Sequence, residues 1–78
     1  MKELLITLAT GLVDDKDSVS VVFDEPNEEG VVVYHLKVAA DDMGKVIGKQ
    51  GRVAKAIRTV MRVAANRIGQ KISVEIDW

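Results

Sequence analysis

The strongest constraint on the fold is a nine-residue run in the middle of the chain, Gly44-Lys45-Val46-Ile47-Gly48-Lys49-Gln50-Gly51-Arg52. Two of its glycines bracket Lys49 and Gln50, and apolar residues at helical spacing stand on both sides. Glycine has no side chain to obstruct approach to the backbone. The first amides of a helix are unpaired and carry partial positive charge. The run therefore predicts a backbone cradle for a phosphate, formed where a second helix begins after Gly51.

Charge is strongly segregated along the chain, although the formal net charge is only -1. Residues 1–42 carry three bases and ten acids, whereas residues 43–71 carry eight bases and no acid. A polyanion responds to the local field and not to the total charge. The acidic average is therefore compatible with a nucleic-acid ligand at the glycine-rich run, although a solvated helix face would give the same pattern.

Length and composition exclude several classes of protein. The 78 residues correspond to one small domain, residues 1–78, and the absence of cysteine excludes disulfides and thiolate chemistry. No apolar run approaches the ~20 residues of a membrane span. Glu3 stands where a signal peptide needs positive charge. We therefore expect a cytoplasmic protein without membrane insertion.

The first half of the chain predicts one helix and two strands. Leucines recur at helical spacing before Gly11, so residues 2–12 are predicted to form an amphipathic helix that packs on the domain's own sheet or, less commonly, on a partner chain. Residues 18–23 and 31–38 are rich in β-branched side chains and predict an antiparallel hairpin. The acidic turn between them ends at Gly30, which is free to adopt positive φ.

Two helices are predicted around the glycine-rich run. Asp41 and Asp42 are placed to cap a short helix that ends at a left-handed Gly48. Gly44, inside that helix, predicts close backbone packing against a neighbour. The longer helix follows Gly51 and ends at Gly69. Its predicted core stripe consists of Val53, Ile57, Val60, Met61, Ala64 and Ile68.

The last residues complete the predicted fold. Residues 70–78 alternate between apolar and polar side chains, which predicts a half-buried strand, and Trp78 either caps the core or lies at an interface. The order is helix, strand, strand, short helix, helix, strand. Helices on one face of a three-stranded sheet would bury every apolar stripe, so we predict an α+β two-layer sandwich.

Rival phosphate sites and catalysis are poorly supported. A nucleotide P-loop needs four residues between its first glycine and the Gly-Lys pair, but three separate Gly44 from Gly48, and Gln50 replaces the required hydroxyl. The dinucleotide-binding fingerprint should follow a strand. The single histidine, His35, has no nearby nucleophile in the sequence. No catalytic residue, metal site or cofactor is predicted.

The glycine-rich run also resembles a known family. Val46-Ile47-Gly48-Lys49-Gln50-Gly51 is similar to the GxxG signature of K-homology (KH) domains, and the element order resembles the type II, bacterial arrangement. Residues 42–60 resemble, more narrowly, the KhpA family of small stand-alone bacterial KH proteins. The resemblance is specific over that segment and generic elsewhere.

This resemblance implies binding of about four unpaired RNA nucleotides in a groove. Carried over by position, Gly48, Lys49, Gln50 and Gly51 clamp the backbone. The flanking residues complete the predicted site: Lys45, Val46, Ile47, Arg52, Ala54 and Lys55. Of these, Val46, Ile47 and Ala54 would face the bases, with part of the second strand opposite. Arg52 and Lys55 are the two bases of the long helix expected to share the ligand. Many KH domains have a bulkier aliphatic residue where Ala54 stands, which implies a shallower groove floor.

The expected function is therefore that of a non-catalytic single-stranded RNA-binding protein. Because one domain that holds about four nucleotides gains little affinity alone, pairing is expected. The resemblance implies a homodimer, or a heterodimer with a larger Jag/KhpB-type KH protein, in post-transcriptional control linked to the cell envelope and division. The alternative is a protein-interaction module with little RNA binding of its own.

Overall fold

The computed structural model describes residues 1–77, and the side chains of Lys49 and Gln50 lie outside that description. The prediction for Trp78 therefore also lies outside the described residues. Helix α1 comprises Lys2–Thr10 with Gly11 as its C-terminal cap, so it ends two residues before the predicted bound at residue 12. Its buried residues are Leu5 and Ala9, whereas Leu12, expected on the same apolar face, lies beyond the helix and is 44% exposed.

Three strands form one sheet in the order β1-β2-β3: Ser20–Phe23, Val31–Lys37 and Lys71–Asp77. Strands β1 and β2 pair antiparallel, which confirms the predicted hairpin. Gly30 in its turn has φ of 79°, and the side chain of Asn27 accepts hydrogen bonds from the amides of Glu29 and Val31. A short 3₁₀ turn, Lys16–Ser18, precedes β1 where the sequence predicted the start of the strand.

Strand β3 pairs parallel to β2, from Val31 opposite Lys71 to Lys37 opposite Asp77. Parallel neighbours need a long crossover connection, which here is the second helix, α2, comprising Ala40–Arg67. The apolar positions of β3 face the helices, as its alternation predicted, with Val74 the most buried. The helices lie on one face of a mixed sheet, and the predicted α+β two-layer architecture is confirmed.

The two helices predicted around the glycine-rich run both lie within α2. Gly51 has φ of 71°, so the left-handed residue is Gly51, and the prediction of a left-handed Gly48 is wrong. A straight helix of 28 residues would extend about 42 Å. The longest axis of the molecule is 34 Å. The bend of α2 is therefore assigned to Gly51, which substitutes for the predicted boundary between two helices.

The core confirms only part of the predicted stripe along α2. Ile57 and Met61 are fully buried, but Ala54 and Ala65 fill the neighbouring positions where Val53 and Ala64 were predicted. Val60 is 42% exposed and Ile68 65% exposed. The sheet therefore packs against a narrower strip of α2 than the sequence suggested.

Candidate functional site

The bend in α2 lies inside the segment that the sequence singled out. A left-handed residue that follows right-handed helical residues directs successive backbone N–H groups to one side, which forms a concavity suited to an anion. Gly51 occupies this position, with helical residues before it. Gly48 stays in the helical conformation, and both glycines are partly exposed. A left-handed residue within α2 therefore stands where the sequence predicted a free helix start.

An open cavity of about 400 Å³ adjoins this bend and is lined by Gly44, Lys45, Gly48 and Val53. No atom of another described part of the chain lies within 4 Å of a Cβ built on Gly44 or Gly48. The prediction that Gly44 packs closely against a neighbour is therefore wrong. Its missing side chain instead leaves the helix backbone open to the cavity.

The three aliphatic residues predicted to face the bases have different surroundings. Ile47 is 54% exposed, whereas Val46 is 1% exposed and Ala54 is 4% exposed, both within the core cluster. In this conformation only Ile47 presents a surface to a ligand. The buried pair holds the two arms of the bend against the sheet, so a direct base contact by Val46 or Ala54 would require the core to open.

The predicted cations are also distributed unequally. Arg52 and Lys55 are exposed on the arm of α2 that follows Gly51. Lys45 is paired: its Nζ donates a hydrogen bond to the carboxylate of Asp14. This contact holds the pKa of Asp14 below its ordinary value and raises the pKa of Lys45. The side chains of Lys49 and Gln50 lie outside the described residues, so their predicted role in the clamp stays a prediction.

Sequence reasoning misassigned Asp42. The cap of α2 is Ala39, without a side-chain hydrogen bond, so the predicted capping role is wrong. Asp42 is 3% exposed and accepts hydrogen bonds from the backbone amides of Asp14 and Asp15, at 3.2 and 3.0 Å. Asp14 and Asp15 lie 28 and 27 residues before Asp42 in the sequence, so no helical or strand periodicity predicts this contact. It is recognised in the structure because the Asp42 carboxylate is buried.

A second group of bases lies further along α2, where the sequence analysis left it out of the predicted site. Arg58 donates a hydrogen bond from Nε to the carbonyl oxygen of Val74 at 3.2 Å. Beside it, Arg62 helps to line a groove of about 210 Å³ between α2 and β3. Strand β2 is the central strand, so β3 has the open edge on this side. The expectation that part of the second strand lies opposite the bases stays a prediction. Spacing of three and four residues from Lys55 would have placed Arg58 and Arg62 on one face.

Residues 1–77 contain no cluster of histidine and acidic side chains arranged to hold a metal ion. None of the described helices is long and apolar enough to cross a membrane. His35 lies on the sheet face away from the helices, with Nε2 3.0 Å from Asp24 and Nδ1 3.6 Å from Glu75.

Comparisons with known proteins agree with the fold. Solved structures of Era share the fold. Era from Aquifex aeolicus superposes with a TM-score of 0.66 at 20% identity, covering 96% of this chain and 28% of that one. Era in complex with MgGDPNP and a segment of 16S ribosomal RNA gives a TM-score of 0.59 at 18% identity, again over 28% of the longer chain.

Curated relatives match along nearly their whole length. The RNA-binding protein KhpA of Clostridium acetobutylicum is 54% identical over 97% of this chain and 99% of its own. KhpA of Clostridium perfringens is 51% identical, and KhpA of Aquifex aeolicus 42% identical, with 97% of this chain covered in each case. The family described as "KhpA/KhpB, KH domain" matches this chain over residues 2–76. The chain therefore belongs to the KhpA/KhpB family of KH domains.

Proposed function

We propose that this protein binds single-stranded RNA without catalysis and clamps the backbone of about four nucleotides at residues 48–51. The observation that carries the proposal is the left-handed Gly51, which lies in an acid-free basic segment and beside an open cavity. The KhpA proteins of both clostridia, which are 54% and 51% identical to this chain over 76 residues, are named RNA-binding proteins.

In the proposed clamp, both the backbone and the side chains contact the RNA. The concavity at Gly51 receives a phosphate, and the exposed cations Arg52 and Lys55 lie on the arm that follows it. Lys49 and Gln50 belong to the clamp by their position in the GxxG sequence. Ile47 supplies an exposed aliphatic surface for a base, while Val46 and Ala54 support it from the core. Further along α2, Arg58 and Arg62 extend the basic track beside the edge strand β3.

Binding by this site is expected to be permissive. The described aromatic residues, Phe23 and Tyr34, contact each other across the hairpin, with ring centroids 5.5 Å apart, and Tyr34 is buried in the core. Neither of these two residues is therefore placed to supply the ~1–3 kcal/mol per base of aromatic stacking. If about three phosphates are neutralised, log affinity should fall against log salt with a slope near -2.

The clamp is tested by replacing both Lys49 and Gln50 with aspartate. We expect RNA binding, measured by fluorescence anisotropy of a labelled oligouridine, to be abolished while the circular dichroism spectrum is unchanged. The control replaces Gln70 and Lys71 with aspartate, because this gives the same change in composition and charge beyond the other end of α2. Equal losses in both variants, or none in the first, would contradict the clamp.

We also propose that the domain acts as a pair, either as a homodimer or with a larger Jag/KhpB-type KH protein. Val60 is 42% exposed and Val63 50% exposed, and together with Ala64 they line an apolar groove of about 300 Å³ on the outer side of α2. Two linked sites raise affinity through effective concentration. This face also supports the second candidate function, a protein-interaction module with little RNA binding of its own.

Sedimentation of the purified chain tests pairing. A dimer that Val63→Glu converts to a monomer is the expected result, and Val22→Glu, at a 61% exposed valine of β1, is the matched control. A wild-type monomer with measurable RNA affinity would contradict pairing. The proposal extends to post-transcriptional control in the cytoplasm, linked to the cell envelope and division. Crosslinking and sequencing of bound RNA in the cell would test that extension.

A further inference from the structure

The first turn of α2 holds the loop that follows α1 through one buried carboxylate. Asp42 is the only buried charged side chain among those that the structure describes, and each of its oxygens accepts one backbone N–H from the loop, from Asp14 and from Asp15. Neither bond uses the side chains of Asp14 and Asp15. The loop backbone is thus fixed against α2, and those two carboxylates stay available for other contacts.

The carboxylate of Asp14 uses this freedom to reach Lys45. Lys45 lies three residues after Asp42, so both side chains project from the same side of α2. The Asp14–Lys45 pair is solvent-exposed, and such pairs are normally weak because two long side chains must be ordered. Here the backbone of Asp14 is already held by Asp42, which reduces the freedom lost when the pair forms.

Lys45 also lines the cavity beside Gly48, where the proposed function places the RNA backbone. Its ammonium group therefore lies between two acceptors, the Asp14 carboxylate in the free protein and a phosphate oxygen in the complex. We propose that Asp14 is an internal competitor for this contact, exchanged for an RNA phosphate on Lys45 when RNA binds. The inference rests on the proposed RNA-binding function and adds to it a residue that sets affinity and salt dependence.

The exchange has a thermodynamic signature. A lysine that is free in solution releases counterions when it meets a phosphate, which contributes about -0.7 to the salt slope on a single strand. Because Lys45 exchanges one anion for another, it contributes almost nothing. Asp14→Asn frees Lys45, so we expect RNA affinity to rise roughly two- to five-fold and the slope to steepen by about 0.7.

A double-mutant cycle separates this exchange from a general charge effect. The variants are Asp14→Asn, Lys45→Gln and the two combined, measured with a labelled oligouridine over a range of salt. Lys45→Gln should weaken binding only slightly in the wild type and clearly in the Asp14→Asn background. Asp14→Asn keeps the backbone N–H that donates a hydrogen bond to Asp42, so the fold is retained. Asp17→Asn, in the same loop, removes an equal charge and leaves the pair intact.

The carboxyl pKa of Asp14 provides an independent measurement. Lys45 holds this pKa below the ordinary value of 3.8 in the free protein. If RNA takes Lys45 away, titration followed by carboxyl NMR should show the pKa of Asp14 rising when the oligouridine is bound.

The outcomes distinguish the exchange from the function on which it rests. Non-additive effects in the cycle together with a rise of the pKa support the exchange. RNA binding with additive effects, with an unchanged pKa, or with Asp17→Asn as effective as Asp14→Asn, overturns the exchange and leaves the proposed function standing. Failure of every variant to bind any RNA overturns both.

Discussion

Replacing Gly51 with alanine tests the conformation on which the candidate site depends. Gly51 has φ of 71°, whereas Gly48, three residues earlier, keeps a negative φ in the same helix. No atom of another described part of the chain lies within 4 Å of a Cβ built at either glycine. Steric overlap with the rest of the molecule therefore contributes to neither substitution, and the comparison isolates the backbone.

The expected magnitudes follow from that difference. Alanine restricts the unfolded chain relative to glycine, which stabilises a protein by about 0.4–1 kcal/mol when the native backbone suits it. Gly48→Ala should therefore raise the free energy of unfolding by about 0.5–1 kcal/mol, the usual gain of alanine over glycine in a helix. At Gly51 the left-handed conformation costs alanine about 1–2 kcal/mol, so the net effect is a loss of about 0.5–1 kcal/mol.

Urea unfolding of the two variants measures the difference directly. We expect the midpoint to fall for Gly51→Ala and to rise for Gly48→Ala, with the same dependence on urea in both. Equal shifts in the same direction would refute the left-handed assignment of Gly51 and, with it, the anion-binding concavity. Under the proposed function Gly48→Ala should also weaken RNA binding despite its greater stability, because its Cβ enters the cavity.

Three further predictions concern the core and the loop that Asp42 holds. Asp42→Ala should lower the free energy of unfolding by about 1–3 kcal/mol, because two amides lose their acceptor, while the exposed neighbour Asp41→Ala should change it by less than about 0.5 kcal/mol. Met61→Ala, at a fully buried side chain, should cost about 2–5 kcal/mol in the same urea assay. The Asp14–Lys45 pair should stabilise the fold at neutral pH, and its contribution should be lost as pH falls through the lowered pKa of Asp14 or rises through the raised pKa of Lys45. Melting temperatures of the wild type and Asp14→Asn should therefore converge only below the ordinary carboxyl pKa of 3.8 and above the ordinary lysine pKa of 10.5, and a constant difference would exclude this origin.

The elements of this fold were predictable because each leaves a local pattern. Alternation along β2 and β3 and the glycines at positions 30 and 69 located the strands and turns to within a few residues. The parallel pairing of β2 with β3 was not predicted, because alternation shows which face of a strand is buried and not which neighbour it bonds. The prediction that Gly48, and not Gly51, is the left-handed residue failed for a related reason. Two glycines in one segment can each take positive φ, and only the packing of both arms on the sheet decides between them.

The contacts around Asp42 show the limit of sequence reasoning at the site itself. Asp14 and Asp42 looked equivalent as acids in a loop and at a helix start, yet one is exposed and the other is buried with two hydrogen-bond donors. Lys45 was assigned to the ligand because it is near the glycines in sequence. A contact with Asp14, 31 residues away, depends on how α1 and α2 pack, and no periodicity records it.

These contacts bear on why a domain of this kind would act in pairs. Three features of the proposed site limit its affinity. Of the three aliphatic residues predicted to face the bases, Ile47 is the exposed one, and the described aromatic residues lie in the hairpin. The third feature is that Lys45 already has an anionic partner, Asp14. A second site joined through the apolar side of α2 would multiply weak contacts without adding a new one. Weak single sites also exchange RNA quickly, since affinity differences lie mostly in dissociation rates. Strengthening one domain, as Asp14→Asn is expected to do, should therefore slow release from a pair more than it speeds capture, and stopped-flow measurement of both rates would show whether it does.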